Sequence, residues 1–299
     1  MKVSINPSYF CNFRCDFCYL TEEQLGDQKR IDLNVLDNLL SQLPKIEHID
    51  LYGGEIGALK KDYFYALKDV IKKHYSGKIN LNTNFSMLHE GFFEDDVYLS
   101  VSYDFEAREK SDKVFSNMMQ SPVDIGVLIL ASPRVLQMDV DFMINMLNVC
   151  TSVKSVEIKP YSSNQANAHN ITNKDYEDFV IKWLESPIQK NFFFTNESRI
   201  DASYYKEYNA FSNDHIYITP NGKFAVLEFD LNDNEFFLEL DSWQDYIKWT
   251  EKEKREMSPI CKSCEYFGHC LTEHYRYVKD LEFSCNGHIR LLEWWDKNA

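Results

Sequence analysis

Three cysteines, Cys11, Cys15 and Cys18, stand in the string CNFRCDFCY with the spacing C-x3-C-x2-C. Three thiolates at such spacing can hold three irons of a [4Fe–4S] cube and leave the fourth iron open, where a further ligand can bind and be reduced. Structural zinc takes four protein ligands, so the triad is one ligand short of that alternative. A second set, Cys261, Cys264, Cys270 and Cys285, is spaced C-x2-C-x5-C-x14-C. Four thiolates suit either structural zinc or a fully coordinated [4Fe–4S] cluster, and spacing alone does not separate the two. The eighth cysteine, Cys150, ends the apolar stretch FMINMLNVC and reads first as a small buried hydrophobe.

Strand-like and amphipathic runs alternate around the first set. Strands are expected over 3–6, 48–51, 79–82, 99–102, 125–130 and 155–159, and helices over 32–43, 61–74, 108–119, 140–149 and 173–184. Thr172 can cap the last of these, with Asp175 in its first turn. Serial βα units imply parallel strands with right-handed crossovers, and six are too few for a closed eight-fold barrel. The expected fold is therefore α/β, an open partial (β/α)6 barrel over 1–190. Residues 190–210 read as an irregular link. HIYITPNGKFAVLEF then reads as a hairpin turning at Pro220-Asn221-Gly222, followed by a helix over 242–254 and the cysteine-rich tail, giving an extension over 191–299. The closing LLEWW segment, with Trp294 and Trp295, reads as a dock for that tail.

The chain has 299 residues and a formal net charge of −15, which argues against nucleic acid and against anionic membrane as partners. No secretory h-region precedes Cys11, and no apolar run is long enough to span a bilayer. The expectation is a cytoplasmic protein whose cysteines are thiols or metal ligands rather than disulfides.

The triad, with aromatic Phe17 before its third cysteine, resembles the radical SAM signature CxxxCxφC. The resemblance implies that the open iron is chelated by S-adenosylmethionine, whose one-electron cleavage releases a 5′-deoxyadenosyl radical. Tyr52-Gly53-Gly54-Glu55 is similar to the family's GGE motif, and Thr83-Asn84 to its TN(G) motif, with Phe85 in place of the usual glycine. Glycines at the first motif would let backbone approach the ligand, and Glu55 would accept from the methionine amine. By position, Ser102 and Asp104 would meet the ribose, Arg134 the methionine carboxylate, and Lys159-Pro160-Tyr161 the adenine side. Phe17 and Tyr19, flanking Cys18, would complete the cofactor pocket. Asp104 and Glu157 are candidate bases. Cys150 is a candidate hydrogen donor, as in some radical SAM epimerases.

The tail resembles the SPASM extension of that superfamily, which carries two auxiliary [4Fe–4S] clusters. The four ligands of one cluster are matched by Cys261, Cys264, Cys270 and Cys285. The other lacks its cysteines: His274 stands at one ligand position and the hairpin has none. This implies a reduced SPASM-like extension with one auxiliary cluster, acting as electron conduit or structural clip, and argues against sulfatase maturation. His269, His274 and His288 flank these cysteines as possible hydrogen-bond donors to them.

The resemblance implies a peptide maturase that abstracts hydrogen from a ribosomally made precursor peptide, with crosslinking as the expected outcome. It also implies a flavodoxin- or ferredoxin-type electron donor. The first strand begins at once, with no winged-helix recognition domain ahead of it, so the peptide would be gripped by the barrel mouth, the tail or a separate recognition protein. That lifts a runner-up: oxidation, epimerisation or decarboxylation of a small metabolite, as in a related aminocyclitol dehydrogenase. A zinc protein using the tail for interactions is the reading from outside enzymology.

Overall fold

The computed structural model describes residues 1–161, 171–211, 213–227, 237–256, 259–272, 285 and 287–299. In chain order the elements are β1 (Lys2–Ile5), α1 (Glu22–Gly26), α2 (Leu33–Ser41), β2 (His48–Leu51), α3 (Lys61–His74), β3 (Ile79–Thr83), β4 (Val97–Ser102), α4 (Ser111–Met119), β5 (Ile125–Leu130), α5 (Val140–Val149), β6 (Val153–Lys159) and α6 (Asn173–Glu185). Then follow β7 (Phe193–Phe194), α7 (Thr195–Tyr204), β8 (His215–Ile218), β9 (Phe224–Leu227), β10 (Phe237–Leu240), α8 (Trp243–Glu256), α9 (Pro259–Ser263) and α10 (Ile289–Asn298).

Local chemistry sets the helix ends. Asp32 accepts from the Asn34 and Val35 N–H groups at the start of α2, and Asp139 caps α5. Thr172 and Asp175 form a reciprocal capping box on α6. In α3, Asp62 lies in the first turn and Lys72, Lys73 and His74 in the last, each sign matching the helix dipole.

One sheet runs β10-β9-β8-β1-β2-β3-β4-β5-β6-β7. From β8 through β7 every neighbouring pair is parallel, while β9 and β10 run antiparallel. The sheet does not close, as expected for a partial barrel: β10 and β7 are its edges. Alternation divides its faces. Val3, Ile5, Ile49, Leu51, Ile79, Leu81, Leu99, Val101, Ile125, Val127 and Ile129 are buried in the main core, each burial contributing roughly 1.5–3 kcal/mol.

The opposite positions are largely polar and bond to one another. His48 Nε2 lies 3.1 Å from Asp50, the Asn80 amide donates to Asp50, and the Ser100 hydroxyl donates to Asn80 at 2.9 Å. Ser4 Oγ and His215 Nε2 are 2.7 Å apart. These polar groups cross strands β8 to β4 in one layer beneath the strand tips.

Three features depart from expectation. Residues 190–210 are not an irregular link: they supply β7, paired to β6, and α7. The inner face of α7 is polar, which hid its periodicity. Asn196 donates to the Ile158 carbonyl at 2.8 Å and accepts from the Ile158 N–H at 2.7 Å, and Ser203 donates to the His269 carbonyl. The hairpin is also not separate from the barrel sheet, because β8 pairs parallel with β1 from Lys2↔His215 to Ile5↔Ile218. The expected helix over 108–119 begins at Ser111, after a 3₁₀ turn over Phe105–Ala107. No helix among the described residues is long and apolar enough to cross a membrane.

Desolvation pushes the His215 imidazole down to about 4 from its ordinary 6.5. Between those values the unfolded chain binds a proton that the folded ring refuses, so stability falls as pH drops through that window. Urea midpoints measured from pH 7 to 4 are expected to fall less steeply in His215→Gln than in the parent, and parallel curves would contradict this.

Candidate active site

The loop after β1 carries the cysteine triad across the tips of the parallel strands. Asn6 N–H donates to the Ile218 carbonyl at 2.8 Å, Ile31 N–H to Pro7 at 2.9 Å, and Cys11 N–H to Leu25 at 3.1 Å. Arg14 N–H donates to Glu109 at 2.6 Å. The segment after β2 then docks backbone to backbone on this loop: Gly54 N–H reaches the Ser8 carbonyl at 3.0 Å, and Glu55 N–H the Phe10 carbonyl at 2.8 Å. A Cβ on Gly54 would lie 2.1 Å from the Phe10 oxygen and 2.3 Å from that of Tyr9. Gly53 has φ of +157°, and a Cβ there would lie 2.6 Å from the Ser8 oxygen.

Glu55 has partners within the protein that the sequence does not announce. It is buried, and both carboxylate oxygens are taken from within the protein. Oε1 accepts from Gly57 N–H at 2.7 Å and from the Thr83 hydroxyl, and Oε2 accepts from Asn84 N–H at 2.7 Å. Burial raises its pKa, and these donors pull against that rise. Glu55 thus pins the loop after β3 rather than lining the cavity wall. That loop fastens the triad in turn: Asn84 Nδ2 donates to Asn12 at 2.9 Å and sits 3.9 Å from the Cys11 sulfur. Phe85 adopts φ of 55°, the left-handed conformation that glycine takes easily. The strain costs about 1–2 kcal/mol and is offset by complete burial of the ring and by Asn117, which donates to the Phe85 carbonyl at 2.7 Å.

These contacts frame a cavity of about 240 Å³. Its wall includes Cys11, Cys15, Cys18, Phe17, Tyr19, Gly53, Gly54, Asn84 and Ser102 from the expected set. Lys159 also lines it, as do Tyr52, Asn82 and Arg108. Tyr217 of β8 and Phe237 of β10 pack an aromatic group against Tyr9, Tyr19 and Tyr52, so the hairpin buttresses the cavity's side. Burial raises the Cys11 and Cys15 thiols to about 11, and Cys18 in the same direction. Metal loading must therefore release protons.

Other expected residues lie elsewhere. Arg134 is exposed and outside the cavity wall. Cys150 is buried at the end of α5, also outside the wall, with its thiol raised to about 11 by burial. Glu157 is ion-paired to Lys159 at 2.8 Å and Arg199 at 2.6 Å. Asp104 is fully buried and not in the wall, holding Arg108 instead. The arginine at the site is thus Arg108, which sequence reasoning assigned to a helix start. Its signal was an opposite charge four residues earlier, at Asp104.

At the far end of the chain, Cys264 N–H donates to the Cys261 carbonyl at 3.1 Å. A Cβ on Gly287 would lie 2.9 Å from the Cys270 sulfur and 3.3 Å from that of Cys285. Charges on Cys264, Cys270 and Cys285 all act on the Cys261 thiol, which burial raises to about 11. His269 bonds the Tyr208 carbonyl at 2.9 Å and His288 packs on Tyr176 at 4.7 Å, while His274 lies outside the described residues. Helix α10 docks the tail as expected: Leu291 and Leu292 are buried, and the Trp294 indole donates to Glu185 at 2.9 Å. Among the described residues no three His, Cys, Asp or Glu side chains converge on a single-ion site. A cube differs in requirement, because each cysteine binds its own iron around a shared volume. The cavity's three sulfurs suit that donor set.

No protein-family model matches the sequence, and a search of curated proteins finds no match. Solved structures do match the fold. Streptococcus suis SuiB bound to precursor peptide SuiA aligns with a TM-score of 0.66 at 13% identity, over 94% of this chain and 75% of that one. Native anSMEcpe with bound AdoMet aligns at 0.65 and 14% identity, over 99% and 96%. Native anSMEcpe with AdoMet and Cp18Cys peptide gives 0.64 and 14%, over 99% and 95%. These are radical SAM enzymes, and the chain shares their fold.

The Gly54 contact yields a test that needs no cofactor. Gly54→Ala is expected to lift the cysteine loop and speed thiol labelling of Cys11, Cys15 and Cys18 at least several-fold in metal-free protein. Gly26→Ala, where a Cβ meets nothing within 4 Å, should leave the rates unchanged. Equal rates in both variants would contradict the docking argument.

Proposed function

We propose that this chain is a radical SAM enzyme acting on a ribosomally synthesised peptide, with an intramolecular crosslink as its product. The observation that carries the reading is the shared cavity, where three cysteine sulfurs, the Gly53-Gly54 backbone and Asn84 face one volume at the tips of parallel strands. Active sites of such folds sit at this end of the sheet. Cys11, Cys15 and Cys18 would hold a [4Fe–4S] cluster with one open iron. Bound there, cluster and S-adenosylmethionine would supply a 5′-deoxyadenosyl radical able to remove a hydrogen atom from substrate. Gly53, Gly54, Asn84 and Ser102 would hold the cofactor by backbone and small polar groups, with Phe17 and Tyr19 packing beside it. The buried, largely apolar wall from Phe13 to Leu130 would keep water from the reacting atoms.

Cys261, Cys264, Cys270 and Cys285 of the extension over 191–299 would hold a second [4Fe–4S] cluster. Zinc is the weaker reading, since one ion needs all four sulfurs at bonding distance from a single point. The peptide reading draws on SuiB and anSMEcpe, each solved with a peptide bound. A cytoplasmic setting and a low-potential flavodoxin- or ferredoxin-type donor belong to the same proposal.

Anaerobically reconstituted protein should carry about eight irons per chain, four in each cube. Cys264→Ala should lose about half of them and retain the first cluster; unchanged iron would remove the second cluster. Cys15→Ala should abolish 5′-deoxyadenosine formation, and persistent product would count against the assignment. Mass spectrometry of a candidate peptide after turnover should show loss of two hydrogens. Reaction of a small metabolite with no peptide change would favour the runner-up.

A further inference from the structure

Arg108 is the more buried of the two cations in the cavity wall, its side chain 15% exposed against 33% for Lys159, and its three nitrogens are divided. Nε donates to Asp104 Oδ2 at 2.7 Å and Nη2 lies 2.5 Å from the same oxygen. Nη1 is left on the other side of the guanidinium, 3.8 Å from the Cys15 sulfur. The guanidinium lies over the Phe17 ring, with Cζ 5.2 Å from its centroid. Asp104 is itself immobilised: it is fully buried, and Oδ1 accepts from the Leu130 N–H at 2.5 Å. A carboxylate locked to the sheet therefore fixes a guanidinium that is aimed at one cysteine of the triad. Among the described residues, Arg108 and Lys159 are the only charged residues in the cavity wall, and no carboxylate lines it.

We propose that Arg108 is a positioning residue that sets the reduction potential of the triad's cluster through an N–H···S bond to Cys15, with Asp104 as its holder. The proposal rests on the triad binding a [4Fe–4S] cluster. Reduction adds one electron, supplied by a low-potential one-electron donor, and one negative charge to the cluster and its thiolates. A cation and a donor hydrogen at a ligand sulfur stabilise that added charge, and hydrogen bonds to the sulfurs are an established lever on cluster potential. Asp104 offsets this only in part: its charge also reaches Cys15, but it lies on the opposite edge of the guanidinium and acts less strongly there than Arg108. The Phe17 ring covers one side of the guanidinium, and with the Arg108 side chain only 15% exposed, water screens the contact weakly.

The test is a redox titration of the reconstituted full chain, followed by the EPR signal of the reduced cluster without S-adenosylmethionine, in the Cys264→Ala background so that the second cluster is absent. Arg108→Gln should retain the first cluster's iron and sulfide, yet at a fixed poise its reduced-to-oxidised ratio should fall by about tenfold, equal to about 59 mV for one electron. Arg108→Lys should recover part of the shift. Because Arg108→Gln leaves Asp104 buried without its cation, the double variant Arg108→Gln/Asp104→Asn removes both charges and should show the same lowered potential. A wild-type potential in either variant that retains its iron overturns the proposal. Loss of the cluster from both gives Arg108 a merely structural role and overturns it as well. Absence of a cluster in the Cys264→Ala parent would instead refute the reading on which it rests.

Discussion

The whole site hangs on a backbone contact. Gly53-Gly54-Glu55 lies flat against the loop of Ser8 to Phe10, joined by two N–H···O=C bonds. No side chain fits at Gly54, because the two carbonyl oxygens nearest its Cβ position are already closer than contact distance. That approach fixes where the loop leaves β1 and therefore where Cys11, Cys15 and Cys18 face. The loop after β3 joins through the Glu55 carboxylate, so three strand tips are coupled through one buried acid.

The charge arrangement follows the same economy. Two buried acids beside the cavity bond within the protein, Glu55 to two N–H groups and a hydroxyl, Asp104 to Arg108 and an N–H. Burying a carboxylate is costly unless hydrogen bonds or a partner charge compensate it. Both fasten loops and a cation. In a chain of formal charge −15 this leaves a cavity whose charged lining residues, Arg108 and Lys159, are cationic. Such a wall suits a cluster with thiolate ligands and a ligand bearing a carboxylate.

Much of this was legible before any coordinates. Cysteine spacing and turn-compatible glycines are local signals, and the triad and Gly53-Gly54 do line one cavity. Continuous apolar strands such as Ile125–Leu130 and amphipathic helices with dipole-matched ends such as Lys61–His74 fall on their expected bounds. What escaped depends on partners distant in sequence. The parallel pairing of β8 with β1 leaves no trace in either segment's pattern. α7 buries Asn196 and Ser203, so its inner face mimics a surface. The three donors on Glu55 come from Gly57, Thr83 and Asn84, and the last two lie a strand away in sequence. Arg108 reads as the start of a helix, although it precedes α4 and its role comes from Asp104 and the tertiary position of Cys15.

The account's central claim is that the triad's cube keeps one iron free for a ligand that chelates it. The most direct measurement is EPR of the anaerobically reconstituted, reduced protein before and after addition of S-adenosylmethionine. A change in the g-values and line shape of the first cluster's signal, lost in the Cys15→Ala variant, is the result this structure predicts. A cluster signal that is indifferent to S-adenosylmethionine would contradict it.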